Sequence, residues 1–210
     1  MRPLARVHAV TSGSVLALAD LGVRAAALAA VGSAVALHAR DRGARPEDLA
    51  QAAARLIALA RPAEAQVIVS GRADIARAVA AHGVQLSDDD LAPEDARLVM
   101  GDGLIGRSVH SADEVFRARD EGADFVLLGH VFDTPSHAGR PALGLDEVSR
   151  AAAAGIPVVA IGGMTADNAL RARDAGAWGV AAIRALWNAA DPAAAARSLL
   201  APWMEGVDQA

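Results

Sequence analysis

The sequence predicts an α/β fold, a single-domain (β/α)8 TIM barrel, and three observations predict it. Short apolar runs alternate with longer amphipathic, alanine-rich stretches, which is the pattern of βα units around a parallel sheet. Eight such units can be counted in 210 residues, near the lower end of the roughly 200 to 250 residues that a complete barrel needs. No linker or low-complexity tract divides the chain, so residues 1–210 read as one domain. An open, doubly wound sheet of six or seven strands gives the same alternation, and the count of eight favours the barrel.

In chain order the strands are expected at Leu4–Val10, Ser33–Ala39, Gln66–Ser70, Val84–Leu86, Leu104–Ser108, Phe125–Gly129, Pro157–Ile161 and Gly179–Ile183, each followed by a helix-compatible segment. Helix starts agree with that phase. Ser111 precedes Asp113 and Glu114, which oppose the positive end of a helix, and Thr165-Ala166-Asp167 opens the seventh helix in the same way. Gly122, Gly155 and Gly176 stand just past helix ends, where a left-handed residue is wanted. The run from Asp133 to Ala142 is the one long loop rich in turn formers, and in a barrel it covers the catalytic face.

Composition closes off several classes of function. The chain is 53% hydrophobic and 21% charged, so a folded core is expected. A net charge of −5 carries no basic footprint for nucleic acid or an anionic membrane surface, so any anion must be held by a local site. Every basic side chain is Arg; the lack of Lys excludes Schiff-base chemistry and a P-loop-type lysine. The lack of Cys excludes disulfides, thiolate nucleophiles and thiolate-held metals. The opening MRPLARVHAVTSG has no apolar run of signal-peptide length and no window approaches a membrane span, so a soluble cytoplasmic protein is expected.

The candidate chemistry gathers at strand ends. Gly162 and Gly163 end the seventh strand directly before a helix, where backbone N–H groups can hold a phosphate; a tight βα turn needs the same glycines. Arg184 and Ala185 follow the eighth strand, and Arg184 either completes that phosphate site or is a solvated helix-start residue. His130, just past the sixth strand, is the candidate acid–base residue, the alternative being a histidine that anchors the following loop. His38 and His110 lie at strand ends on the same face, as supporting residues. Arg40 and Arg42 follow the second strand, where they engage a carboxylate or phosphate, or else a salt bridge to Asp41. Asp88, Asp89 and Asp90 read as a solvated turn sooner than a Mg²⁺ site, and no histidine pair has metal-ligand spacing, so neither a metal nor a cofactor is expected. His8, His82 and His137 are weaker candidates, and Trp187 and Trp203 read as packing residues.

Taken together, GRSVHS (106–111), GHVFDT (129–134), PVVAIGGMT (157–165) and GVAAIRALW (179–187) resemble the thiamine phosphate synthase/TenI superfamily, over nearly the whole chain from VHAVTS (7–12) onward. Within it, the synthase pattern has a proline after the glycine that ends strand six, where this chain has His130, as TenI-like tautomerases do. The synthase's N-D-R motif, whose Asp binds Mg²⁺, reads Ser70-Gly71-Arg72 here, while Asp90 matches its second metal-binding Asp. Its Q-L-R-E-K motif becomes His38-Ala39-Arg40-Asp41-Arg42, and its T-x-T-K loop becomes Thr134-Pro135-Ser136-His137. Ser70 in place of Asn and Arg184 in place of Ser depart from both patterns.

The resemblance implies a thiazole tautomerase: cofactor-free aromatisation of a thiazole carboxylate phosphate, with His130 moving the proton. Gly162, Gly163, Arg184 and Ala185 are then expected to hold the phosphate, and Arg40 or Arg42 the carboxylate. The alternatives are thiamine phosphate synthesis from a pyrimidine pyrophosphate and a thiazole phosphate, or a catalytically silent ligand-binding relative. The expected partner is a small phosphorylated thiazole, with neither nucleic acid nor membrane, and the resemblance implies a homodimer.

Overall fold

The computed structural model describes residues 4–204. Its elements are β1 (Val7–Val10), α1 (Gly13–Leu16), α2 (Leu21–Ala29), β2 (Val35–Ala39), α3 (Pro46–Ala60), β3 (Gln66–Ser70), α4 (Ala73–Ala78), β4 (Gly83–Leu86), α5 (Pro93–Met100), β5 (Leu104–Val109), α6 (Ala112–Asp120), β6 (Phe125–Gly129), α7 (Gly144–Ala152), β7 (Val158–Ile161), α8 (Ala166–Asp174), β8 (Gly179–Ala182), α9 (Arg184–Trp187) and α10 (Pro192–Leu200). The strands form a closed barrel in sequence order, every pair parallel, with β8 returning to β1. This is the (β/α)8 barrel that the alternation predicts.

Side chains divide by strand phase. Val35, Leu37 and Ala39 of β2 face the helices, as do Val67 and Val69 of β3 and Val126 and Leu128 of β6, and they join one large shell of buried residues. Ala36, Ile68, Phe125, Leu127, Val159 and Ala181 point inward and form a second, smaller cluster inside the barrel. With apolar surface on both faces, the strands read as continuous apolar runs. Polar side chains interrupt the inner set, among them His8, His38, Gln66 and Gln85, which are buried on strands β1 to β4.

The expected boundaries shift for local reasons. β1 starts at Val7, because the amides of Arg6 and Val7 both donate to Ala34 O at 3.0 Å and the chain before them leaves the ladder. β2 starts at Val35, after a turn in which Val35 N donates to Gly32 O and Gly32 sits at φ +91°. β7 excludes Pro157, which has no amide to donate. β8 stops at Ala182 because Ile183, at φ −103° and ψ −80°, turns the chain into α9. The helix signals hold: the hydroxyls of Ser111 and Thr165 accept from Glu114 N and Asn168 N, and Gly122, Gly155 and Gly176 all take positive φ.

Candidate active site

At the carboxyl ends of the strands lies a cavity of about 830 Å³. All nine residues expected at the site line it: His38, Arg40, Arg42, His110, His130, Gly162, Gly163, Arg184 and Ala185. Strand ends converge in a barrel, so residues far apart in sequence meet on one face.

The β1–β2 side is cationic. Arg40 is half-buried and Arg42 exposed, and neither forms an ion pair among the described residues. The expected alternative of a salt bridge to Asp41 is not formed; Asp41 Oδ1 instead accepts from Gly43 N at 3.0 Å. Burial lowers the Arg40 pKa and the Arg42 charge adds to that, so an anion placed between them would be favoured by both groups. Thr11 holds the Arg40 backbone in place: its buried hydroxyl accepts from Arg40 N at 2.8 Å and lies 2.9 and 3.0 Å from the acceptors His38 O and Arg40 O.

Across the mouth, Gly162 (φ +102°) and Gly163 (φ +64°) make the turn after β7. A Cβ on Gly162 would collide with that of His130, and one on Gly163 would lie 2.6 Å from Asp133 O. These glycines therefore serve the tight turn as well as any ligand, because they let the chain after β6 pack directly on them. Arg184, exposed and without an ion pair among the described residues, donates from Nη2 to Thr134 Oγ1 at 3.2 Å and so ties the end of β8 to the long loop. The loop from Asp133 to Ala142 contributes Thr134 and Ser136 to the cavity lining.

His130 is half-buried on the rim, its Nε2 3.2 Å from Arg140 O. His110 Nδ1 donates to Gly129 O at 2.6 Å while its amide donates to Glu114 Oε2, so it anchors the end of β6 immediately before His130. His82 is structural, with Nδ1 accepting from Val67 N at 3.0 Å. The His137 side chain lies outside the described residues. His38 is no surface group but a wholly buried one, paired with His8 inside the barrel. Gln85, Ser70 and Ser108 also line the cavity floor. The sequence reading named Ser70 only as a departure from the family pattern and missed Gln85 and Ser108; their signal was a polar residue at an inward position of an apolar strand.

The two-carboxylate metal site of the synthase pattern does not fit these residues. A Cβ on Gly71 (φ +77°) would lie 3.0 Å from Asp90 Oδ1, so positions 71 and 90 do face each other, but only one carries a carboxylate. Oδ2 of Asp90 accepts from both Ser87 N and Ser87 Oγ at 2.7 Å. Among the described residues no group of three or more His, Cys, Asp or Glu is placed to hold a metal ion.

A closed parallel barrel whose strand ends converge on one cavity, with three guanidinium groups there that form no ion pair among the described residues, defines a TIM barrel with a site suited to an anionic small molecule. The chain belongs to the thiamine monophosphate synthase (TMP-TENI) family, whose model matches residues 7–186. It is 44% identical over 173 residues to the thiamine-phosphate synthase of Chlorobium luteolum, covering 81% of this chain and 82% of that protein. It is 40% identical over 176 residues to that of Thermus thermophilus, covering 82% and 84%. A solved structure, thiamine phosphate pyrophosphorylase from Pyrococcus furiosus, superposes with a TM-score of 0.82 at 31% identity over 98% of both chains. 3-Hexulose-6-phosphate synthase, at 19% identity and a TM-score of 0.67, shares the fold.

These relatives overturn the thiazole tautomerase expectation, since proteins at 40 to 44% identity over about four fifths of the chain carry the synthase name. That expectation leaned on a few rim positions, chiefly Gly71 and His130. One βα loop can change at such positions while the rest of the barrel keeps its substrate geometry. No helix of the described chain is long and apolar enough to cross a membrane.

Proposed function

We propose that this chain is a thiamine-phosphate synthase, joining a pyrimidine pyrophosphate to a thiazole phosphate. The observation that carries the reading is the set of guanidinium groups on one cavity that have no carboxylate partner among the described residues, Arg40 and Arg42 after β2 and Arg184 after β8. Two separate cationic stretches suit two anionic substrates, and kinship with named synthases supports the pairing.

In this reaction the thiazole ring nitrogen attacks the exocyclic methylene carbon of the pyrimidine. The C–N bond forms, the C–O bond breaks, and pyrophosphate departs with the electron pair, leaving the thiazole ring positively charged. No proton need move, so the chain's tasks are orientation and stabilisation of the departing negative charge. Arg40 and Arg42 hold the pyrophosphate. The amides of Gly162, Gly163 and Ala185, with the Arg184 side chain, hold the ester phosphate of the thiazole. His130, after β6 and against the Gly162 turn, donates a hydrogen bond to a phosphate oxygen in place of the acid–base role first expected of it.

The test is to incubate the protein with both substrates and follow thiamine phosphate and pyrophosphate together. Equal yields of the two products are expected. Replacing both Arg40 and Arg42 by Ala is expected to lower kcat/KM on the order of a hundredfold or more. Failure of the wild-type protein to form the C–N bond, with titrated Mg²⁺ present, overturns the reading.

A further inference from the structure

Two of the groups assigned to the ester phosphate sit on a short piece of chain. β8 ends at Ala182, Ile183 turns the backbone, and α9, which brings Arg184 and Ala185 to the cavity, is a helix of four residues. A helix of that length has little stability of its own, so its position is set by what packs against it. Leu186 and Trp187 are buried, which gives α9 an apolar seat. Trp187 Nε1 is also buried and has no hydrogen-bond partner among the described residues, so the indole adds no polar tie.

The polar tie comes from α2. Arg24, whose side chain is 25% exposed, donates from Nη1 to Trp187 O at 3.0 Å and to Ala189 O at 2.8 Å. These carbonyls lie at and just past the end of α9, where a helix leaves its own acceptors unmatched, and an arginine suits them in charge as well as in hydrogen bonding. Asp20 orients the guanidinium, its Oδ2 accepting from Arg24 Nε at 2.8 Å. Asp20 stands at the N-cap position of α2, where an aspartate ordinarily accepts from a backbone N–H of its own helix, and its side chain makes no such bond. The carboxylate serves Arg24 in place of the cap. An ion pair this exposed contributes little stability by itself, so the arrangement suits orienting a guanidinium better than stabilising α2.

The other cationic stretch is anchored separately, because Thr11 holds the backbone of Arg40. We propose that Arg24 is a positioning residue: oriented by Asp20, it fixes α9 from behind and so sets the Ala185 amide and the Arg184 side chain for the ester phosphate. The ester as ligand rests on the synthase reading; the dependence of phosphate binding at Ala185 on Arg24 does not.

The test is titration of the full-length protein with inorganic phosphate, following the backbone amide resonance of Ala185, beside steady-state kinetics on both substrates. Arg24→Met keeps the stem and loses the donors. Arg97→Met is the control, since Arg97 makes a similar clasp at the other end of the barrel, from Nη1 to Gly101 O and Gly103 O and from Nη2 to Asp124 Oδ2, and does not line the cavity. Arg24→Met is expected to move the Ala185 midpoint to about fivefold higher phosphate and to raise KM for the thiazole phosphate by a like factor. It is expected to leave kcat and KM for the pyrimidine pyrophosphate within about twofold. Arg97→Met is expected to lower the urea midpoint and to move neither KM. Asp20→Asn, which keeps Arg24 but weakens its orientation, is expected to shift the Ala185 midpoint about twofold in the same direction, and it carries the test if Arg24→Met does not fold. An Ala185 midpoint that stays in place in these variants overturns the proposal, and so does an equal rise in both KM values, which general loosening of the barrel would give. A shifted midpoint, in a protein whose wild type forms no thiamine phosphate, overturns the synthase reading alone.

Discussion

The unfolded chain holds His8 near the ordinary histidine value of 6.5, whereas burial lowers it to about 4 in the folded barrel. Between those values the unfolded state takes up a proton that the folded state refuses, so stability falls as pH falls through that window and levels off below it. The difference corresponds to on the order of 3 kcal/mol for His8, and His38 shifts in the same direction. Urea midpoints followed from neutral pH down to about 4 are expected to show this decline, and His8→Gln is expected to flatten it. Gly71 gives a second prediction at this scale. Its φ of +77° disfavours a side chain, and an added carboxylate would stand against Asp90, so Gly71→Asp is expected to cost about 1 to 2 kcal/mol in metal-free urea unfolding. The sequence showed that Arg40, Arg42 and His130 share a face, because βα phase alone decides that. It hid the burial of His38. On a strand apolar on both sides the period of two is invisible, and a lone polar residue reads equally as a strand end or as an interior position.

The turn between β7 and α8 shows one element serving packing and ligand at once. Its glycines lie against His130, Phe132 and Asp133, and Asn168 Nδ2 donates to Gly163 O at 2.7 Å across the first turn of the helix. Gly163→Ala puts a methyl group against the backbone of Asp133 at a positive φ. It is expected to cost about 2 to 4 kcal/mol and to displace the chain that carries His130. Thr165→Ala removes only the cap on Asn168 N, at about 1 kcal/mol, and is expected to leave substrate KM unchanged. Comparing the two variants by thermal unfolding and by KM separates a loss of helix stability from a loss of site shape. Here the sequence was informative, since paired glycines before a capping Thr mark a strand-to-helix turn whatever the ligand. It could not show that the βα loop after β6 is the partner that demands them, because that contact is made between loops distant in the chain.

Closure of the barrel sets how the whole chain unfolds. Each strand has two hydrogen-bonded neighbours, and the last pair brings β8 onto β1, with Val180 N donating to Arg6 O at 2.8 Å. No strand is an edge, so none can leave without breaking two ladders, and the apolar shell runs without interruption from Val7 to Leu200. The barrel is therefore expected to unfold as one domain in a single transition. The three Trp residues make this measurable, because Trp178, Trp187 and Trp203 all lie in the last part of the chain, so fluorescence reports that part while far-UV circular dichroism reports every helix. Coincident urea transitions by the two probes are expected, and a separate fluorescence transition would show that the C-terminal units unfold alone. Gly179 lies at the seam. A Cβ there would strike the backbone carbonyl of Arg6, so Gly179→Ala must part β8 from β1. Because the seam belongs to the whole barrel, that variant is expected to lower both probes' midpoints together, by about 2 to 4 kcal/mol, and not to split them. A split confined to Gly179→Ala would mean that closure is what makes the barrel cooperative, with the strands before β8 able to hold together as an open sheet.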